Sequence, residues 1–265
     1  MTRGFKINEN EKYFRYELAG SPSANMLFTT RRGGVSEGRY SSLNMGYSTC
    51  DSKENIYKNR AIVLNDFDLS IDRMTSSDQV HGVELRAVRS CSEDAGECDG
   101  LFTDAKNTVL SMYFADCTPL FFYDPVKKAI GLSHAGWRGT VGDIASKSVG
   151  FMKEKYGSSA GDIIAVIGPS IGKCCFEVGS EVEAEFTEKL NNINVKEYIG
   201  VKEERAGKFY IDLKAINKKL LESAGIKSEN IHVHDACTSC MKDFFYSYRR
   251  DAGDTGRMAA LAFIE

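Results

Sequence analysis

The stretch TVLSMYFADCTPLFFYDPVKKAIGLSHAGWRGT, residues 108–140, sets the strongest limit on what this chain can fold into. It packs three apolar runs, each too short for a buried helix, between turn residues, and such runs rich in β-branched and aromatic side chains read as strands. Tyr123-Asp124-Pro125-Val126 separates PLFFY from AIGLS, so these two form a hairpin-like unit with its turn at Asp124-Pro125. Cys117 lies just before the first strand and His134 just after the second. Antiparallel pairing therefore brings a thiol and an imidazole to the same end of one sheet.

The rest of the chain extends this pattern. FRYEL, MLFTT, VELRAV, IIAVIG, NIHVH, FFYSY and MAALAFIE are further strand candidates, and helices are expected at Lys53 to Asn65, Val141 to Lys155, Ser180 to Leu190 and Asp212 to Ser223. The last carries Leu213, Ile216, Leu220 and Leu221 on one face, Asp212 as its N-cap and Gly225 as its stop. Strands alternating irregularly with helices imply an α+β fold, mixed β-sheets flanked by helices. With no Pro/Ser/Gly-rich linker in 265 residues, one domain over 1–265 is expected.

Charge narrows the partners. The formal net charge is -3 and no run of five like charges occurs, which argues against nucleic acid and a membrane surface and for a small-molecule substrate. The N-terminal residues lack a charged start followed by an apolar run, and no stretch of about 18 apolar residues appears, so a cytoplasmic protein is expected. Eight irregularly spaced cysteines, at 50, 91, 98, 117, 174, 175, 237 and 240, favour free thiols or metal ligands over a disulfide framework.

Several segments carry candidate chemistry, each with a plainer alternative. In GLSHAGWRGT, Thr140 could cap a following helix whose N-terminus, with Arg138, holds an anion; equally, the segment is a tight turn with Arg138 in solvent and Trp137 in the core. FADCTP sets Asp116 beside Cys117 at a strand end, where functional groups or a buried thiol and a turn cap both fit. His81 in DQVHG is a turn histidine or a ligand. TTRRGGVSEGRYSSLN has the composition of an anion-binding or lid loop, or of a solvated one. In HVHDACTSC, His232 and His234 share a strand face ahead of the Cys237/Cys240 pair, which resembles a metal site, while the adjacent Cys174 and Cys175 read as structural.

HGVELRAV, DGLFTDAKNTVLSMYFADCTPLFFYD, GLSHAGWRGT, IGPSIGKCCFEVG and CTSCMKDFFYSYRRDAGDTGRMAA, in that order over almost the whole chain, resemble the YfiH/YlmD family, also called laccase-domain or multicopper polyphenol oxidase proteins. The resemblance implies mixed sheets flanked by helices and a zinc ion, with copper in its place left open, held by His81, Cys117 and His134. Three N/S ligands leave a fourth position open, the arrangement of a catalytic zinc. The family's CTxC stretch matches Cys237 to Cys240, but its motif does not use His232 or His234 as ligands.

The implied activity is phosphorolysis of adenosine, inosine, guanosine and methylthioadenosine to base and sugar 1-phosphate, with deamination of adenosine to inosine. A nearby carboxylate or the ligand shell moves protons; Asp116 is the neighbour to examine, although a residue next to a ligand can equally point away. Arg31 of TTR, Asn44 of SLN and Arg138 are the phosphate clamp, Arg31 being preferred to the adjacent Arg32 because it holds the motif position. Phe176 stands where the family has Tyr, which removes a hydroxyl. A copper polyphenol oxidase fits badly, since multicopper centres rest largely on imidazoles and the chain has four histidines. Two rivals remain: a metal-free Cys117/His134 hydrolase editing a peptidoglycan precursor, and a metal-binding scaffold without turnover.

Overall fold

The computed structural model describes residues 4–8, 10–18, 23–91, 93–202 and 205–265. The hairpin read from the sequence is its centre. Thr118–Asp124 pairs antiparallel with Ala129–Ala135, Thr118 opposite Ala135 and Asp124 opposite Ala129. At the turn, the Asp124 carboxylate accepts hydrogen bonds from the backbone N–H of Val126 and Lys127, at 2.8 and 3.0 Å. Local side-chain bonding of this kind is why Asp opens turns.

The hairpin lies in the middle of a six-stranded sheet ordered Ile231–Val233, Ile164–Ile167, Thr118–Asp124, Ala129–Ala135, Gly100–Thr103, Leu85–Ala87. Its two outer pairs are parallel and its inner pairs antiparallel. A second six-stranded sheet runs Gly4–Ile7, Tyr13–Glu17, Ala24–Thr29, Met258–Ile264, Val109–Phe114, Met74–Ser76, with only the last pair parallel. Glu177–Val178, Phe209–Ile211 and Ile199–Val201 form a small antiparallel sheet.

Side-chain alternation explains the layering. From Thr118–Asp124, Leu120 and Phe122 point to a core shared with Ile144, Val149, Ile216 and Leu220 of the helices, whereas Phe121 and Tyr123 meet Phe28, Phe114 and Ala260 of the other sheet. A strand buried on both faces reads as a continuous apolar run, which is how PLFFY looks. The far face of the second sheet is covered by helix Lys53–Leu64, whose Val63 and Leu64 pack with Leu27, Leu261 and Phe263. The order helix, sheet, sheet, helices is the mixed-sheet fold flanked by helices that the sequence implies.

Helices Lys53–Leu64, Ser180–Lys189 and Leu213–Ser223 follow the expected positions. Asp212 caps the last by accepting from Ala215 N at 3.0 Å, and Gly225 beyond it takes φ +98°. Two expectations fail. The helix expected from Val141 is two helices, Trp137–Val141 and Ile144–Tyr156, broken at Gly142 and Asp143. Asp143 adopts φ +56° and accepts from Ser146 N, so it, and not Thr140, is the N-cap of the longer helix. A side chain that bonds nearby backbone competes with helix continuation. The Thr140 hydroxyl is instead buried against the Asn217 amide at 3.0 Å.

FFYSY is not a strand either. Phe245, Tyr246 and Ser247 are buried consecutively without alternation, and Asp116 holds the segment by accepting from the Ser247 hydroxyl at 2.9 Å and Arg249 N at 2.7 Å. A carboxylate takes the place of a ladder there. Among the described residues, no helix is long and apolar enough to cross a membrane.

Candidate metal centre and its cleft

The hairpin register sets Pro119 opposite His134, so Cys117 and His134 come to one sheet end as the spacing implies. His81 joins them from the loop after Met74–Ser76. Gln79 fixes that loop to the second sheet, accepting from Tyr113 N at 2.7 Å and donating to Tyr113 O at 3.0 Å. One donor atom from each of His81, Cys117 and His134 lies within 4.8 Å of the others. Gly136 leaves room for them: a Cβ there would stand 3.2 Å from both Cys117 Sγ and His81 Cδ2.

Asp99, which sequence reasoning missed, organises the centre. Its buried carboxylate accepts from His134 Nδ1 at 2.8 Å, from His81 N at 3.1 Å, from Val80 N at 3.2 Å and from Gly82 N at 2.7 Å. Burial alone would raise its pKa, but His134 and these N–H groups hold it below the usual carboxylate range. An ionised carboxylate only accepts, so Nδ1 carries the proton and Nε2 is left to face a metal or Cys117. Only its place after an acidic Glu-Cys pair and before Gly100 marks Asp99 in the sequence, and nothing there points to His134 35 residues on.

The donor set is primed electrostatically. Burial opposes ionisation of Cys117, yet the His134 and His81 imidazoles outweigh it and bring the thiol down to about 6. Burial likewise disfavours His134 imidazolium, but Cys117 and Asp99 raise it to about 9. A thiolate held between imidazoles suits a soft or borderline divalent ion. His81 at φ +59° and Asp116 at φ +86° occupy left-handed backbone unusual for side-chain-bearing residues, and such conformations cluster at functional sites.

These donors open into a cleft of ≈ 840 Å³, within the range of small-molecule sites. Tyr47, Tyr113, Trp137, Phe176 and Tyr248 line it with aromatic surface, and Arg60, Arg138, Arg249 and Arg257 with positive charge. Among the described residues none of these four arginines forms an ion pair; Arg60 donates twice to Met45 O, Arg249 to Glu177 O, and Arg257 to Thr255 O and Gly256 O. Burial lowers the Arg257 pKa against the pull of Tyr248, Cys117 and Asp116. Unneutralised guanidinium groups in a cleft favour an anionic ligand.

Residues 25–265 match the family described as multi-copper polyphenol oxidoreductase laccase. The chain belongs to this family. Its laccase-family relatives include a protein named purine nucleoside phosphorylase YlmD from Bacillus subtilis, 38% identical over 89% of this chain and 86% of that one. Another, named purine nucleoside phosphorylase, comes from Deinococcus radiodurans, 38% identical over 88% of this chain and 87% of that one. The crystal structure of YlmD from Geobacillus stearothermophilus superposes with a TM-score of 0.93 at 32% identity, covering 100% of both chains.

The remaining residues read from the laccase-family resemblance fall in different places. Arg138 lines the cleft, stacked on Trp137 at 4.2 Å, exposed rather than set at a long helix N-terminus. Arg31 and Asn44 are not among the residues that line it. Arg31 donates to Ser41 O and Lys242 O and lies over the Tyr246 ring, fastening two loops together. Asn44 is fully buried; its Oδ1 accepts from Gly46 N and Arg257 N, so it supports the backbone beneath a cleft arginine. Asp116 has both oxygens occupied by Thr238, Ser247 and Arg249 N, which fastens the C-terminal loop beside the cleft. His232 packs on the Tyr16 ring and His234 on Phe14, with His234 Nδ1 accepting from Ala236 N, and neither belongs to a group of three metal donors among the described residues.

Proposed function

We propose that the protein is a zinc-dependent purine nucleoside phosphorylase that also deaminates adenosine. The observation that carries this reading is the convergence of His81, Cys117 and His134 at a cleft lined by aromatic rings and four arginines without carboxylate partners among the described residues. The names of the relatives point the same way. The donor set fits zinc: two imidazoles and a thiolate, with Asp99 fixing the His134 tautomer, and three protein ligands rather than four. When bound, zinc supplies Lewis acidity that can activate water or polarise a group at the reacting centre.

The chain's own residues do the positioning. Tyr47, Tyr113, Trp137 and Tyr248 offer faces and edges for a purine, and Arg257 and Arg60, with Arg138 and Arg249, hold phosphate near the ribose. In phosphorolysis the phosphate oxygen attacks the ribose C1′ as the purine leaves. Adenosine, inosine, guanosine and methylthioadenosine are the substrates to compare.

A metal-free alternative has one observation in its favour: Cys117, His134 and Asp99 form a thiol, imidazole and carboxylate relay with His134 Nδ1 bonded to Asp99 at 2.8 Å. That is the arrangement of an amide hydrolase with a cysteine nucleophile.

Zinc-loaded protein incubated with adenosine, with and without phosphate and with a chelator control, separates the readings. Phosphate-dependent adenine and chelator-sensitive inosine are expected. No product from adenosine in any lane, together with chelator-insensitive amide hydrolysis that alkylation of Cys117 abolishes, would transfer the assignment to the hydrolase.

A further inference from the structure

We propose a second metal site, a structural zinc held by Cys174, Cys175, Cys237 and Cys240. It is separate from the cleft ligands and uses none of them. The four Sγ atoms lie within 4.8 Å of one another, with Cys174 to Cys240 at 3.7 Å and Cys175 to Cys240 at 3.4 Å. Zn–S bonds of about 2.3 Å in a tetrahedron put neighbouring sulfurs about 3.8 Å apart, whereas a disulfide needs about 2.05 Å. All four are free thiols, so the spacing is that of ligands around an ion.

The backbone is shaped to bring them there. Ser170 pairs with Cys237 across a parallel bridge, and Thr238 N donates to Ser170 O at 3.1 Å, which lays the Cys-x-x-Cys turn against the turn holding Cys174 and Cys175. Each turn is also braced within itself, Met241 N donating to Cys237 O at 3.0 Å and Cys175 N to Gly172 O at 2.9 Å. Gly172 N donates to Cys237 Sγ at 3.1 Å, a bond that favours sulfur as thiolate. A Cβ at Gly172 would stand 3.2 Å from Cys174 Sγ and 3.4 Å from Cys237 Sγ, so this position stays bare to let the sulfurs close up. Four sulfurs this close can ionise together only around a cation, and tetrahedral sulfur coordination suits zinc.

The site has a clear structural task. Arg249 donates to Glu177 O at 2.6 Å and Cys175 O at 3.4 Å and lies over the Phe176 ring, so the cluster fastens the turn behind one wall of the cleft to the C-terminal loop. Four protein ligands close the coordination sphere, in contrast to the three-ligand centre at His81, Cys117 and His134.

The test begins with zinc analysis of protein purified in thiol reductant without chelator. Cys117→Ala is expected to retain one equivalent of zinc, and adding Cys174→Ser with Cys240→Ser to it is expected to remove that equivalent. In cobalt-substituted Cys117→Ala protein, thiolate-to-cobalt charge-transfer absorption of four-thiolate intensity is expected. A second measurement needs no variant: Cys50, Cys174 and Cys240 are all exposed, so Cys50 is an internal standard for alkylation read by peptide mass spectrometry. With zinc present, Cys174 and Cys240 should react at least tenfold more slowly than Cys50, and a strong chelator should abolish the difference. Alkylation of Cys174 and Cys240 as fast as Cys50 in the zinc-loaded protein would overturn the site, as would a metal-free Cys117→Ala protein or disulfides among the four in reductant.

Discussion

Replacing Asp99 by Asn keeps the side chain's size but removes the charge that holds His134 Nδ1–H and three backbone N–H groups of the His81 loop. Loss of such an outer partner commonly costs about 10–100-fold in metal affinity. Asp99→Asn should therefore bind zinc about 10–100-fold more weakly, as read by competition with a chromogenic chelator, while its thermal transition stays cooperative. Undiminished affinity would show that His134 orients itself. The arginines divide by where their guanidinium groups point. Arg257→Gln should raise KM for phosphate about tenfold or more, since a charge-assisted hydrogen bond contributes about 1.5–3 kcal/mol. Arg31→Gln should instead lower stability by about 1–2 kcal/mol in urea titration, because its two bonds go to backbone carbonyls of separate loops. A phosphate effect from Arg31→Gln equal to that from Arg257→Gln would place Arg31 in the clamp, as the family resemblance implies.

At the scale of elements, the hairpin Thr118–Asp124 with Ala129–Ala135 brings two of the three donors to one sheet end, and the short helix Trp137–Val141 follows immediately. Gly136 is the joint between them. An added methyl at 3.2 Å from Cys117 Sγ and His81 Cδ2 must displace a ligand or the chain, and such overpacking costs about 1–3 kcal/mol. Gly136→Ala is accordingly expected to weaken zinc binding by about tenfold or more and lower kcat with it, measured by chelator competition and product chromatography. Wild-type affinity in this variant would mean that the joint has slack. The two turns that carry the clustered cysteines belong to this scale as well, because each is short and gains rigidity from the other as well as from its own hydrogen bonds.

Across the whole molecule, stability depends on pH partly through His234, which packs between the two sheets against Phe14 and accepts from Ala236 N. Burial is the main cause that brings its pKa down to about 4, with Lys214 adding to the effect and Asp235 opposing it. The unfolded chain takes up the proton first, near 6.5. The contribution is thus fully present above about 6.5 and is lost as pH falls from there through about 4, on the order of 3 kcal/mol in all. Urea midpoints measured between about pH 7 and pH 4 should fall less steeply for His234→Gln than for the unsubstituted chain; parallel slopes would exclude this residue as the source. Short continuous apolar runs and the Asp124-Pro125 turn made the central hairpin and its shared donor end legible, because run length and turn chemistry act over a few residues. The absence of a strand at FFYSY was not legible: three consecutive buried side chains and a carboxylate from Asp116 decide it, and those contacts span more than a hundred residues. By itself, then, the sequence determined most local elements, the mixed-sheet class and the shared end of Cys117 and His134, while the family resemblance of its motifs added His81 to the residues that converge on the cleft. Only the tertiary structure decided that Asp99 binds His134, that Arg60 and Arg257 face the cleft while Arg31 and Asn44 do not, and that two pairs of cysteines form one cluster. Side-chain direction and long-range pairing depend on which faces the packed layers bury, and no local pattern encodes that.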